Sequence, residues 1–162
     1  MKTIAFDFDG VIHKYRDGWK DGSIYDEIDE NMILIIRYLL KNNYNVFIMS
    51  TRDPDQIKQY LDRYLRIYEF NTEKRLFNVE VFPNSQKFWN KQGILGVCNH
   101  KAVFDVLLDD RAITYNGNSK DVIEQIINFK TYQKDLIDYS NFSKETFNSN
   151  QLRLPFKYQN CK

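Results

Sequence analysis

Thr3-Ile4-Ala5-Phe6-Asp7-Phe8-Asp9-Gly10, near the start of the chain, is the stretch on which the reading of the fold turns. A short apolar run closed by carboxylates and a glycine has the pattern of a buried strand ending in a turn. It therefore places Asp7 and Asp9 together at one strand end. The residues that follow, Val11 to Tyr15, Arg16-Asp17-Gly18 and Trp19 to Tyr25, have the composition of a hairpin around a glycine-containing turn, which would project from that strand end as a flap.

Further along, the same pattern returns. Ile28, Met32, Ile35, Ile36 and Leu39 recur at helical spacing between Glu27 and Asn42, with Asn42-Asn43 as the stop. Tyr44 to Met49 reads as a second apolar strand ending in Ser50-Thr51-Arg52, and Asp53-Pro54 starts a helix to about Glu69. Val79 to Pro83 is expected as a third strand. Asn84 to Cys98 is irregular and aromatic, with Phe88-Trp89-Asn90 and a short strand over Gly93 to Cys98. Val103 to Leu108 reads as another apolar strand, ending in Asp109-Asp110-Arg111, and after the turn Asn116-Gly117-Asn118 a helix is expected from Ser119 to Phe129.

Strands alternating with amphipathic helices predict an α/β fold built on an open, mostly parallel sheet. In such sheets ligands collect outside the carboxyl ends of the strands, and here three apolar strands end in polar clusters. The chain has 162 residues, 43% of them hydrophobic and 28% charged, which suits one compact domain with its own core. We expect that domain over residues 1–130, with residues 131–162, which lack clear periodicity, as an extension packed on it. Lys and Arg total 23 against 22 Asp and Glu, a formal charge of +1, which excludes a general polyanion-coating protein but not a local basic rim. Cys98 and Cys161 lack disulfide-framework or zinc spacing and read as free thiols. The longest apolar stretch, Met32 to Leu40, is interrupted by Arg37 and falls well short of the roughly 20 residues that span a bilayer. No apolar signal core follows Met1 either, so a cytoplasmic location with no membrane partner is expected.

The polar strand ends carry chemistry. Asp7 and Asp9, two residues apart, repel one another unless a cation or proton lies between them. Asp109 and Asp110 add oxygen ligands at a second strand end, and an all-oxygen set favours Mg²⁺ over zinc. Lys101 precedes that strand, where an ammonium neutralises a nucleophilic carboxylate and an incoming phosphate together. Ser50 or Thr51 offers a hydroxyl and a backbone N–H to a phosphoryl oxygen. These are the parts of phosphoryl transfer through an aspartyl phosphate. The blander readings stand beside them: Asp-x-Asp-Gly alone is usually a turn, Ser50 and Thr51 could simply cap a helix, Lys91 is a poorer alternative to Lys101, and Arg52 could pair with Asp53 or Asp55. Trp19, Phe88 and Trp89 suit packing better than base stacking, and Tyr60, Tyr64 and Tyr68 suit the inward face of a helix.

Phe6-Asp7-Phe8-Asp9-Gly10-Val11, Ser50-Thr51-Arg52, Lys101 and Leu107-Leu108-Asp109-Asp110-Arg111, in that order, resemble the four motifs of the haloacid dehalogenase superfamily, over roughly residues 1 to 117. The Asp-Asp-Arg-Ala-Ile ending looks like that of small phosphatase-like members encoded by phages and bacteria, and Ser50-x-Arg52 and Asp109-Asp110-Arg111 are more distantly similar to the 3′-phosphatase domains of phage polynucleotide kinases. The resemblance implies a three-layer Rossmann-like core with a flap after the first strand. It also implies no large cap domain, since the stretches between motifs hold only a flap, single helices and sheet material. It further implies a Mg²⁺-dependent phosphomonoester hydrolase in which Asp7 attacks phosphorus and Asp9 protonates the leaving oxygen and then activates water. Mg²⁺ would be held by Asp7, Asp9 through its backbone carbonyl, and one or both of Asp109 and Asp110. Ser50, Thr51 and Lys101 would bind phosphate, and His13, Trp19 and Arg52 could face the leaving group. An open site suits a nucleotide or a nucleic-acid end phosphate. The alternatives are a phosphate-binding or regulatory module without turnover, or a phosphotransferase to an acceptor other than water.

Overall fold

The first strand forms where the sequence places it. In a computed structural model, which describes residues 2–115, 117 and 119–129, β1 covers Thr3–Phe6. Helix α1 runs Glu30–Lys41, entered through Asp29, whose carboxylate accepts the Asn31 and Met32 N–H groups. Strand β2 is Asn45–Met49. Helix α2, Pro54–Thr72, has Asp53 as its cap and proline at its first position, and it ends on Glu73 in the left-handed conformation. Strands β3 (Asn78–Val81), β4 (Ile94–Cys98) and β5 (Val106–Leu108) follow, then α3 over Ser119–Asn128.

The five strands form one sheet in the order β3-β4-β2-β1-β5, parallel at every pairing, with Phe6 opposite Ile48 on one side and Leu108 on the other. The α/β class and the parallel sheet are therefore as expected. Alternation along the strands sorts side chains between two cores. Ile4, Phe6, Val46, Ile48, Leu95 and Val97 pack with Ile33 and Ile36 of α1 and Ile57, Leu61 and Leu65 of α2. On the opposite face Ala5, Phe47 and Cys98 pack with Phe82, Trp89 and Ala102. Helices thus cover one face of the sheet within residues 1–112, and the other is covered by the irregular crossover between β3 and β4. There Trp89 is buried and its Nε1–H donates to the Ile94 carbonyl at 3.1 Å. A Cβ at Gly96 would lie 2.7 Å from the Trp89 ring, so the closeness of this layer depends on that glycine.

One expectation is corrected. The flap does not form as a hairpin: no strand covers residues 11–28, only the bridges of His13 to Asp9 and to Ile28. Side chains replace the ladder, with Arg16 gripping Asp26, the Tyr25 hydroxyl donating to the Gly18 carbonyl at 2.7 Å, and the rings of Tyr15 and Tyr25 packed about His13. Residues 1–112 make one compact unit, and residues 113–129, with α3, belong to a second. The extension expected over 131–162 lies outside the described residues, as does Cys161. Among the described residues no helix is long and apolar enough to cross a membrane.

Candidate active site

The carboxyl ends of four strands meet at one cavity of about 1020 Å³. β1 delivers Asp7 and Asp9, β2 delivers Ser50, Thr51 and Arg52, β4 is followed by Lys101, and β5 delivers Asp109, all of them on the cavity wall. Lys101 owes its place to β4, which ends at Cys98, rather than to the later strand. Lys91 instead pairs with Glu80 on the sheet edge. β1 supplies the centre because it lies between β2 and β5. Gly10, at φ 86°, turns the chain away, and its N–H donates to the His13 carbonyl at 2.8 Å.

Asp7, Asp109 and Asp110 each offer a carboxylate oxygen within 4.8 Å of the others. Asp7 Oδ1 accepts the Phe8 N–H at 2.7 Å and Asp109 Oδ1 accepts the Arg111 N–H at 2.7 Å. Both Asp110 oxygens are buried and accept no hydrogen bond, with Arg111 Nε 3.9 Å away. Burial raises the Asp7 carboxyl from its ordinary 3.8 to about 7; the Phe8 N–H opposes this, and the charges of Asp109, Asp110 and Asp9 add to it. Asp110 is raised as well, first by burial and then by Asp109, against the pull of Arg111. Orphaned acceptors among mutually repelling carboxylates are what a bound cation would satisfy, and the donors are oxygen only. That chemistry fits Mg²⁺.

Asp9 stands apart from that cluster. Its Oδ1 accepts from His13 Nδ1 at 2.7 Å and its Oδ2 from Arg52 Nε at 2.7 Å. Burial acts to raise the Asp9 carboxyl, but the hydrogen bonds from His13 and Arg52 and the Arg52 charge outweigh it and hold the group below the usual carboxylate range. The Asp9 carboxylate is accordingly not among the three that converge for a metal. His13 is fully buried and off the cavity wall, and its Nε2 accepts the Asp26 N–H at 2.9 Å, which fixes the proton on Nδ1 and directs it to Asp9. Arg52 pairs with Asp9 rather than with Asp53 or Asp55, and its terminal nitrogens donate to the Gly22 and Ser23 carbonyls at 2.5 and 3.4 Å.

Trp19 lies on the cavity wall and is 70% exposed, and Phe88 is 64% exposed, so neither serves as core, whereas Trp89 does. Tyr60, Tyr64 and Tyr68 pack half-buried against the helix-side core, as their spacing predicts. Sequence reasoning missed Tyr15, Gln56 and His100, which also line the cavity. His100 directly precedes Lys101 and was readable once a strand ends at Cys98. Tyr15, at φ 52°, and Gln56, on the first turns of α2, reach the site only through the path of the 14–28 loop. No family model, curated protein or solved structure matches this chain.

Proposed function

We propose that the chain is a Mg²⁺-dependent phosphomonoester hydrolase that works through a phosphate carried on Asp7. The observation that carries this is the convergence of Asp7, Asp109 and Asp110 within 4.8 Å, the Asp110 oxygens lacking hydrogen-bond partners, with Asp7, Asp109, Ser50 and Lys101 all lining one cavity. Bound by the three carboxylates, Mg²⁺ would offset their charge and polarise a phosphoryl oxygen. Asp7, kept ionised by that neutralisation, attacks phosphorus as the bond to the leaving oxygen breaks. The Ser50 hydroxyl and the Lys101 ammonium hold the remaining phosphoryl oxygens. Asp9 is the group placed to give the leaving oxygen its proton and then take one from water, once it has gained a proton and one oxygen is released from Arg52 or His13. Water then cleaves the acyl phosphate and restores Asp7. The cavity volume admits a nucleotide or a nucleic-acid end.

The test is phosphate release from a panel of nucleotides, sugar phosphates and 3′- or 5′-phosphorylated oligonucleotides, in Mg²⁺ and in EDTA. Release that needs Mg²⁺ and disappears in Asp7→Asn supports the mechanism; full release by that variant overturns it. A second reading has an observation of its own: both Asp9 oxygens are already engaged, which suits a phosphate-binding module without turnover. Saturable binding of the panel with no release would establish that reading instead. Adding an alcohol acceptor to the same assay separates phosphotransfer from hydrolysis.

A further inference from the structure

A second cavity, of about 700 Å³, lies along helix α2 and shares Gln56 with the candidate active site as a common wall. Gln56 Nε2 donates to the Gly22 carbonyl at 3.1 Å, with Gly22 lining the first cavity and Ser23 the second. Gln56, Gln59, Arg63 and Arg66 lie three to four residues apart, so they form one stripe down the helix beginning beside the site. Arg63 and Arg66 are both exposed. Neither has a carboxylate partner among the described residues: Arg66 Nε donates only to the Asp62 carbonyl, and the Asp62 carboxylate is taken by Lys58. Ile24, Tyr60 and Ile67 supply the apolar part of the lining.

We propose that this groove binds the backbone of a single-stranded nucleic acid whose terminal phosphate occupies the cavity at Asp7. The proposal rests on the hydrolase reading for its end-group chemistry but not for its binding. A rise of about 1.5 Å per residue puts Arg63 and Arg66 roughly 14 and 18 Å from the start of α2, about two to three phosphate spacings of an extended strand. A row of uncompensated guanidinium groups at that reach serves a repeating anion. A nucleoside monophosphate ends at the catalytic cavity, and a phosphopeptide supplies its one phosphate there too. The exposed Trp19 indole on the wall of the first cavity gives a face on which a terminal base can stack, and the amides of Gln56 and Gln59 can bond phosphate or base without reading sequence.

Arg63→Gln with Arg66→Gln tests this, since both residues are exposed and outside the core. Binding of an unphosphorylated, fluorescent oligothymidylate about a dozen nucleotides long is measured by anisotropy across a salt series. The double variant is expected to weaken binding at least about tenfold at low salt and to lower the slope of log affinity against log salt by about 1.4, the share of two single-strand phosphate contacts. In parallel, the KM for the 3′- and 5′-phosphorylated oligonucleotides should rise by a similar factor, with kcat and the KM for a nucleoside monophosphate within about twofold of wild type. Unchanged oligonucleotide binding overturns the groove while leaving the hydrolase intact. Weakened binding alongside no turnover on any substrate retains the groove and removes the hydrolase. A variant that binds oligonucleotide normally but loses affinity for an acidic phosphopeptide assigns the stripe to a protein partner, and that also overturns the proposal.

Discussion

Asp7→Asn should inactivate the protein and stabilise its metal-free fold at the same time. The Asp7 carboxyl rises from 3.8 to about 7, so the folded protein holds its proton more tightly than the unfolded chain does. The cost of ionising it in the fold is absent below about pH 4, grows between about pH 4 and 7, and is complete above about pH 7. Three pKa units correspond to about 4 kcal/mol, and solvent screening of this half-buried group reduces that to about 1–3 kcal/mol. The asparagine keeps the Oδ1 acceptor for the Phe8 N–H and removes the charge. In EDTA at pH 8 the variant should melt about 3–9 °C above wild type, at roughly 3 °C per kcal/mol for a chain of this size. The gap should close at pH 4. Saturating Mg²⁺ should then raise wild type towards or past the variant, because the cation removes the same repulsion. Thermal unfolding by circular dichroism at the two pH values, with EDTA and with Mg²⁺, reads all of this. A variant that melts at or below wild type in EDTA at pH 8, or a gap unchanged at pH 4, would show that ionising Asp7 does not strain the fold.

Lys101→Met should lower turnover by about 10²–10³-fold while leaving the Mg²⁺-induced rise in melting temperature in place, if as proposed the ammonium holds phosphoryl oxygens and takes no part in the metal set; steady-state rates paired with melts check it. Arg52→Gln should raise the Asp9 carboxyl, because a hydrogen bond and a charge that hold it down are removed. The stability that Asp9 contributes is present above its unfolded pKa and lost on acidification, so the variant should unfold at a higher pH than wild type in an acid titration. The alkaline limb of its pH–rate profile, where Asp9 loses the proton it gives to the leaving oxygen, should also move to higher pH. Gly96→Ala should cost about 1–3 kcal/mol by forcing a methyl against the Trp89 ring, and a melting temperature equal to wild type would show that the layer is looser than the 2.7 Å approach implies.

The sheet was legible because its strands are apolar runs with polar ends, a signal that needs no tertiary context. Ile4 to Phe6 and Val46 to Ile48 are buried whichever neighbours they find. The short strand before Lys101 was legible in the same way, but its role was not. Nothing local says that β4 inserts between β3 and β2, bringing Lys101 to the cavity from the strand behind it. The loop after β1 was misread because glycine and alternating residues also suit a hairpin. What decides its shape is a set of long-range side-chain bonds, such as that of the Tyr60 hydroxyl to the Asp26 carbonyl at 2.6 Å. His13 illustrates the same limit: one histidine in a polar loop gives no sign that it will be fully buried against Asp9. The stripe on α2 was written in the sequence as Gln56, Gln59, Arg63 and Arg66, yet it carried no weight until the loop placed Gly22 beside Gln56.

Arg52 joins two parts of the molecule that the sequence keeps far apart, donating to Asp9 with one nitrogen and to the Gly22 and Ser23 carbonyls with the other two. A single rigid guanidinium cannot move away from one acceptor without disturbing the others. An anion that draws Arg52 towards itself therefore loosens the 14–28 loop and frees an Asp9 oxygen in the same event. By reciprocity, whatever fixes that loop lowers the affinity for such an anion by the same factor.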